Sequence, residues 1–402
     1  MISNPASGQN EGGPTPPWWE YATIEDSTKP WQEAVPPPPP LTERFAAGIE
    51  KYTFFKEQGD SQPLPENKIL RKNMSDSAVI LLRQCLQLSQ DLSAGSSPFS
   101  NYFDGSLEQD VKSFQKRHGL RVDGAVGAET IRELNVPAAQ RLDQLQKNFE
   151  HWQSQPLLDE SFYILINLAA YELRLIEQGR TLLTMPVVVG RPEYETPEFK
   201  SEMTQIILNP SWNIPTSITV KEILPVLQLH GTYLENENIK ILQFRHGRWI
   251  NVSRDSISWS QVDTAHFPYL FRQPPGPLNP LGRFKFILPN PFGIYLHDTP
   301  AKFLFENPER RFSHGCIRIA EPLALARKLI EHDNAVNKES IFAHLESWEE
   351  FPIVLTQPVP ILIVYLSAWV EEDGTVQFRK DKTPPPLDSL ETETNESEWE
   401  DL

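Results

Sequence analysis

The spacing of apolar residues changes once along this 402-residue chain, near residue 161, and that change limits what it can fold into. Before it, apolar residues recur at helical intervals. Ala78, Val79, Leu82, Cys85 and Leu86 share one face, Leu107, Val111 and Phe114 a second, and Thr130, Ile131 and Leu134 a third. Leu142, Leu145, Phe149 and Trp152 continue the helical spacing. From residue 161 the runs are short and β-like: 162–168, 171–176 and 182–189, with a turn at Gln178-Gly179. Residues 204–208, 284–288, 293–297 and 361–370 add strands, and Asp373-Gly374 marks a hairpin into 375–378. Two kinds of domain follow, and the class is α+β multidomain.

The punctuation between these runs sets the expected boundaries. Residues 1–40 hold Pro16-Pro17-Trp18-Trp19 and a proline run over 36–40, which favours an extended, disordered segment. Residues 41–67 carry one helix and a linker, and 68–136 make a three-helix domain whose Gly119, Gly124 and Gly127 mark tight turns. Residues 137–160 read as a connecting helix and 161–380 as the β-rich domain. Inside the latter the strand pattern lapses between Trp212 and Arg272, so 213–272 is expected to be a helical insertion. Pro322 starts a helix striped with Leu325, Ala326, Leu329 and Ile330. Residues 381–402 are acidic and expected to be disordered.

Charge and cysteine content exclude several functions. A net charge of −17 disfavours nucleic acid and anionic membrane surfaces as partners. No apolar run approaches the ~18 residues of a membrane span. Residues 1–20 lack the basic start and apolar core of an export leader, so the chain either stays in the cytosol or begins elsewhere in nature. Two cysteines, Cys85 and Cys316, are too few for a disulfide scaffold or a four-thiolate metal site. Cys85 lies on a helix's apolar face, where a core thiol is expected.

Cys316 has a different setting. It ends Ser313-His314-Gly315-Cys316, and His297 precedes Ser313 by fifteen intervening residues, at the end of a strand. A thiol, an imidazole that can lower its pKa and carry its proton, and a glycine that admits backbone N–H groups are the parts of a cysteine acyl-transfer site. Asp298 is expected to orient His297 through its backbone carbonyl or its carboxylate. A zinc site of His297, His314 and Cys316 would lack a fourth ligand, so no metal or other cofactor is expected.

The spacing His297, fifteen residues, Ser313-His314-Gly315-Cys316 resembles the signature of the L,D-transpeptidases. So do Val189-Gly190-Arg191, Thr196-Pro197, the segment from Asn209 to Pro215, Gly282-Arg283, Lys285 and Tyr295-Leu296-His297-Asp298, which are similar to the large Gram-negative branch with a cap insertion. Residues 68–136 resemble the three-helix peptidoglycan-binding module through Val111, Phe114-Gln115, Asp123-Gly124, Gly127 and Thr130. Many family members carry Asn where this chain has Arg318.

The resemblance implies a β-sandwich-like catalytic domain in which Cys316 attacks a stem peptide and His297 moves protons. N–H groups near Gly315 and Cys316 would form an oxyanion site. His314 would shape that loop or join the relay, and Tyr295, Trp212, Arg318 and Ser313 would contact substrate. The implied product is a 3→3 peptidoglycan cross-link. The implied partners are stem peptides, glycan and carbapenem-type β-lactams, and the implied compartment is the periplasm. Water as acceptor would make a carboxypeptidase, and a lipoprotein lysine an anchoring enzyme. A wall-binding protein without catalysis is the remaining alternative.

Overall fold

A computed structural model describes residues 38–155, 161–229, 232–264, 266–333 and 344–381. Most of the N-terminal proline-rich segment and all but the first residue of the acidic tail lie outside the described residues. Helix α1 (Leu41–Gln58) buries Phe45, Gly48, Tyr52 and Phe55 along one stripe. Helices α2 (Ser77–Leu88), α3 (Gly105–Arg117) and α4 (Ala128–Leu134) enclose Leu82, Leu86, Leu107, Val111 and Ile131 in a core of their own. Asp76 caps α2 by accepting from Ala78 N–H, and Asp104 caps α3 by accepting from Leu107 N–H. Helix α5 (Ala138–Gln153) packs with α1 and the C-terminal strands around Leu145, Trp152 and Trp369. Cys85 is a buried core thiol whose Sγ donates to Leu134 O.

The strands run β1 (Phe162–Asn167), β2 (Glu172–Glu177), β3 (Arg180–Gly190), β4 (Phe199–Leu208), β5 (Trp212–Ile214), β6 (Lys240–Arg245), β7 (Arg248–Val252), β8 (Tyr269–Gln273), β9 (Phe284–Ile287), β10 (Leu296–His297), β11 (Arg311–Ser313), β12 (Ile317–Ile319), β13 (Phe351–Val364), β14 (Ala368–Val370) and β15 (Val376–Phe378). Nine of them form one sheet in the order β11-β3-β12-β10-β9-β4-β13-β1-β2. Because β2 also pairs with β3, the sheet closes on itself. The expected α+β class holds, and the sandwich-like sheet is a closed, barrel-like one that leaves few edges unpaired. Strand β3 makes this possible: its eleven residues are long enough to pair β2, β12 and β11 in succession. Leu173, Leu175, Met185, Ile206, Phe286, Leu296 and Ile317 fill the core with helix α9 (Pro322–His332).

The insertion differs from the expectation of helices alone. It has short helices α6 (Thr216–Ile218), α7 (Leu224–Leu229) and α8 (Tyr233–Asn236), with one π-helical turn at Thr219–Ile223, and a four-stranded sheet β5-β8-β6-β7. Its own core holds Ile214, Ile223, Leu227, Ile241 and Phe271. The hairpin β6–β7 turns at His246-Gly247, both at positive φ (51° and 75°), as a two-residue loop with native strand twist requires. The alternation in these strands is weak because Gln243, Phe244 and Trp249 all stay partly or fully exposed. The periodicity therefore hid them.

Candidate active site

Strands β10 and β12 run parallel, with Leu296 opposite Ile317 and His297 opposite Arg318. Ile317 N–H donates to Tyr295 O at 3.1 Å, which carries the register back to Tyr295 opposite Cys316. Side chains alternate across a sheet, so Tyr295, His297, Cys316 and Arg318 share one face while fully buried Leu296, Ile317 and Ile319 share the other. His297 also pairs with Lys285 of β9, which puts that ammonium on the same face. The imidazole stands one diagonal step from Cys316, a separation an aromatic-sized side chain spans.

His297 is buried, and its Nδ1 lies 2.5 Å from Asp298 O, so the proton on Nδ1 is donated to that carbonyl and Nε2 is left as an acceptor. Of the two ways Asp298 was expected to act, only the backbone one is used. Its carboxylate instead accepts from Arg283 N–H (2.8 Å) and from Lys302 Nζ (2.6 Å). Burial, with Arg318, Lys285 and Lys302 nearby, lowers the His297 pKa to about 3 against the pull of the Asp298 carbonyl. The ring is therefore neutral at physiological pH and able to take a proton.

Cys316 is half-buried. Burial pushes its thiol up, while Tyr295 N–H, the Lys285 ammonium, the Tyr295 hydroxyl and Arg318 favour the thiolate. Lys285 Nζ sits 4.2 Å above the Tyr295 ring. Burial lowers the Lys285 pKa and Cys316 opposes that shift. The Tyr295 hydroxyl is held between Cys316 and the Trp212 side chain, and burial, with Cys316, keeps it protonated well above its ordinary range. Trp212 begins β5 and packs on the insertion's core, so it links that subdomain to the sulfur.

The turn that presents Cys316 is braced from within. Ser313 Oγ donates to Cys316 O (2.5 Å) and accepts from Gly315 N–H (3.1 Å). Ser313, expected as a substrate contact, is buried, and its hydroxyl shapes the turn. The same bond occupies Gly315 N–H. Cys316 N–H has no acceptor among the described residues. Gly315 has φ +109°, a conformation that side chains disfavour. Its carbonyl accepts from Thr196 Oγ1 (2.7 Å), which itself accepts from Gly190 N–H (2.9 Å).

His314 points away from the sulfur's partners, into a cluster at the insertion. Its Nε2 lies 2.6 Å from Glu222 Oε1 and 3.0 Å from Arg191 Nη2, and Arg191 pairs with Glu222 at 3.3 Å. Glu222 belongs to the π-helical turn, so His314 ties the Cys316 loop to the insertion. Lys285 and Thr196 were not singled out as site residues from the sequence. Among the described residues no group of three or more His, Cys, Asp or Glu side chains could hold a metal, and no helix is long and apolar enough to cross a membrane.

Residues 161–337 match the family described as L,D-transpeptidase catalytic domain, and residues 75–134 match the family described as "Putative peptidoglycan binding domain". A Haemophilus influenzae protein described as "Putative L,D-transpeptidase" is 30% identical over 217 residues, 54% of this chain. The chain spans only 43% of the length of that relative. Among solved structures, an L,D-transpeptidase (Yku) from Stackebrandtia nassauensis is 12% identical with a TM-score of 0.28, over 75% of this chain and 97% of that one. L,D-transpeptidase 3 from Mycobacterium tuberculosis, in complex with a faropenem-derived adduct, is 12% identical with a TM-score of 0.25, over 51% and 60%.

Proposed function

We propose that the protein joins peptidoglycan stem peptides by 3→3 cross-links through a thioester on Cys316, a reading supported by the match of residues 161–337 to an L,D-transpeptidase catalytic domain and of residues 75–134 to a peptidoglycan-binding one. The observation that supports this most is the shared face of β10 and β12, where a neutral, carbonyl-oriented His297 stands beside a half-buried thiol.

His297 Nε2 takes the thiol proton as Cys316 Sγ attacks the carbonyl of the third residue of a tetrapeptide stem. The oxyanion is met by Cys316 N–H and by the Tyr295 hydroxyl, each donor supplying on the order of 3 kcal/mol. The tetrahedral intermediate collapses with cleavage of the C–N bond. The imidazolium returns its proton to the departing D-alanine amine. An acceptor amine then attacks the thioester, His297 takes its proton, and the thiol leaves re-protonated. The insertion, tied down through His314–Glu222 and Trp212–Tyr295, limits water's access to the thioester, as transfer over hydrolysis requires. The helical domain holds polymer near the site. We place the reaction in the periplasm, with carbapenem-type β-lactams as acylating inhibitors.

Two measurements test this reading. Purified tetrapeptide stems incubated with the protein should give cross-linked dimers by mass spectrometry. Shortened monomers without dimer would make it a carboxypeptidase, and unchanged substrate would leave only wall binding. The second is pH. With His297 neutral down to about 3 and the thiol raised by burial, the acylation rate should be level from roughly pH 4 to 8 and show no step near the ordinary histidine value of ~6.5. A clear acid limb centred near 6.5 would mean that the ring titrates as an exposed one does.

A further inference from the structure

Two cations on the Cys316 face lack an acidic partner. Among the described residues, neither Lys285 nor Arg318 forms a hydrogen bond or ion pair with a carboxylate, and Arg318 Nε is buried with no hydrogen-bond partner. Both side chains are half-buried. The nearby acids are committed elsewhere. The Asp298 carboxylate holds Lys302 and Arg283 N–H, Glu222 holds His314 and Arg191, and Glu350 accepts from Ser211 N–H at 2.6 Å and pairs with Arg272 at 3.8 Å. Leaving cations partly desolvated and unpaired is costly unless an anion arrives to pair with them. Register sets where that anion would sit. Lys285 flanks His297 on one side through β9–β10, and Arg318 flanks it on the other through β10–β12, two residues past Cys316. The concentration of positive charge is therefore next to the sulfur, on the solvent-facing side of the sheet.

We propose that Lys285 and Arg318 form a carboxylate subsite beside the nucleophile, which takes the C-terminal carboxylate of the residue expelled from the acyl donor. That carboxylate lies a single residue beyond the scissile carbonyl, about 3.8 Å along the chain. A group held there fixes which carbonyl meets Cys316. The guanidinium supplies a planar fork for a carboxylate, and the ammonium a point charge on its other side. Only the identity of the ligand rests on the proposed acyl transfer. The charge arrangement does not depend on it.

The test uses two alkylating agents of similar size, anionic iodoacetate and neutral iodoacetamide, with modification of Cys316 followed by peptide mass spectrometry. Buried Cys85 is read separately in the same digest. The ratio of the iodoacetate rate to the iodoacetamide rate at Cys316 should exceed that of a small free thiol by about tenfold at low salt and fall toward it at 0.5 M salt, as expected for charge attraction that ions screen. Lys285→Met and Arg318→Met should each lower the ratio several-fold, and Lys285→Arg should keep it. A wild-type ratio equal to that of the free thiol, or one indifferent to salt, overturns the subsite even if no variant folds. In a second arm, amidating the donor's C-terminus should raise KM about tenfold for the wild type and little for Arg318→Met. An equal rise in both removes Arg318 from the subsite. If donors are not turned over at all but the alkylation ratio is high and salt-sensitive, the reaction assignment fails while the anion site stands.

Discussion

Replacing His297 with alanine is expected to slow acylation of Cys316 by roughly 10²–10⁴-fold, the usual contribution of a positioned proton carrier. The ring is held by one strong contact, Nδ1 to Asp298 O, and by burial, and among the described residues no other imidazole is placed on the face it shares with Cys316. His314 cannot substitute, because its Nε2 is engaged with Glu222. Iodoacetamide at high pH should still label Cys316 in the variant, since the thiolate then needs no base and its neighbours Lys285, Tyr295 and Arg318 remain. The decisive comparison is acylation by a carbapenem at pH 7 in folded wild-type and variant protein. A loss of less than about fivefold would show that the thiol does not use this imidazole.

The second large effect is expected at Gly190, far from the sulfur in sequence. A Cβ there would lie 2.0 Å from Tyr194 O and 2.7 Å from Thr196 N, both backbone atoms that cannot swing aside. Gly190→Ala must therefore push the turn after β3 outward. That turn carries Thr196, whose hydroxyl joins Gly190 N–H to Gly315 O. The cost should be at the high end of overpacking changes, about 3 kcal/mol or more, and activity should fall further than stability because the Cys316 loop loses its clamp. Thermal unfolding and acylation rate measured together check this. Thr196→Val, which removes the clamp without the clash, leaves Gly190 N–H and Gly315 O without that partner and should lose activity with a fall in Tm smaller than that of Gly190→Ala. An alanine variant with wild-type melting and wild-type acylation would refute the steric account.

The sequence made the fold class and the candidate pair legible but not the surroundings. Cys316 and His297 were singled out by residue type and spacing, and the structure places their strands side by side; the helices were legible from their apolar faces. Asp298 was ambiguous because its carbonyl and carboxylate can both orient a ring, and only coordinates show the carboxylate spent on Lys302 and Arg283. Lys285 is one lysine on a strand, and its proximity to the sulfur arises from pairing across β9, β10 and β12, which no local pattern encodes. Strand β13 begins at Phe351, ten residues before the apolar run that marked it, because Pro352, Pro358 and Pro360 argue against a central strand. The structure resolves the conflict. Only Ile361–Ile363 pair on both sides; Phe351–Val354 and Val359–Pro360 pair with β4 alone, on either side of a bulge, so the missing N–H groups have an open edge to face. Cap strands β6 and β7 were missed for the opposite reason, a hairpin with little buried surface.

Strand β13 also has a consequence for how the candidate site is assembled. It lies between β4 and β1 in the closed sheet, yet it falls after residue 337, where the match to the catalytic family ends. Until residues 351–364 have emerged from the ribosome, the barrel has a gap at its middle and β1 has no parallel neighbour. A nascent chain halted just beyond Cys316 would hold every group of the reaction and no scaffold to align them. Alignment of the candidate site is thus coupled to completion of β13, so Cys316 and His297 lack their final scaffold until that strand has been made.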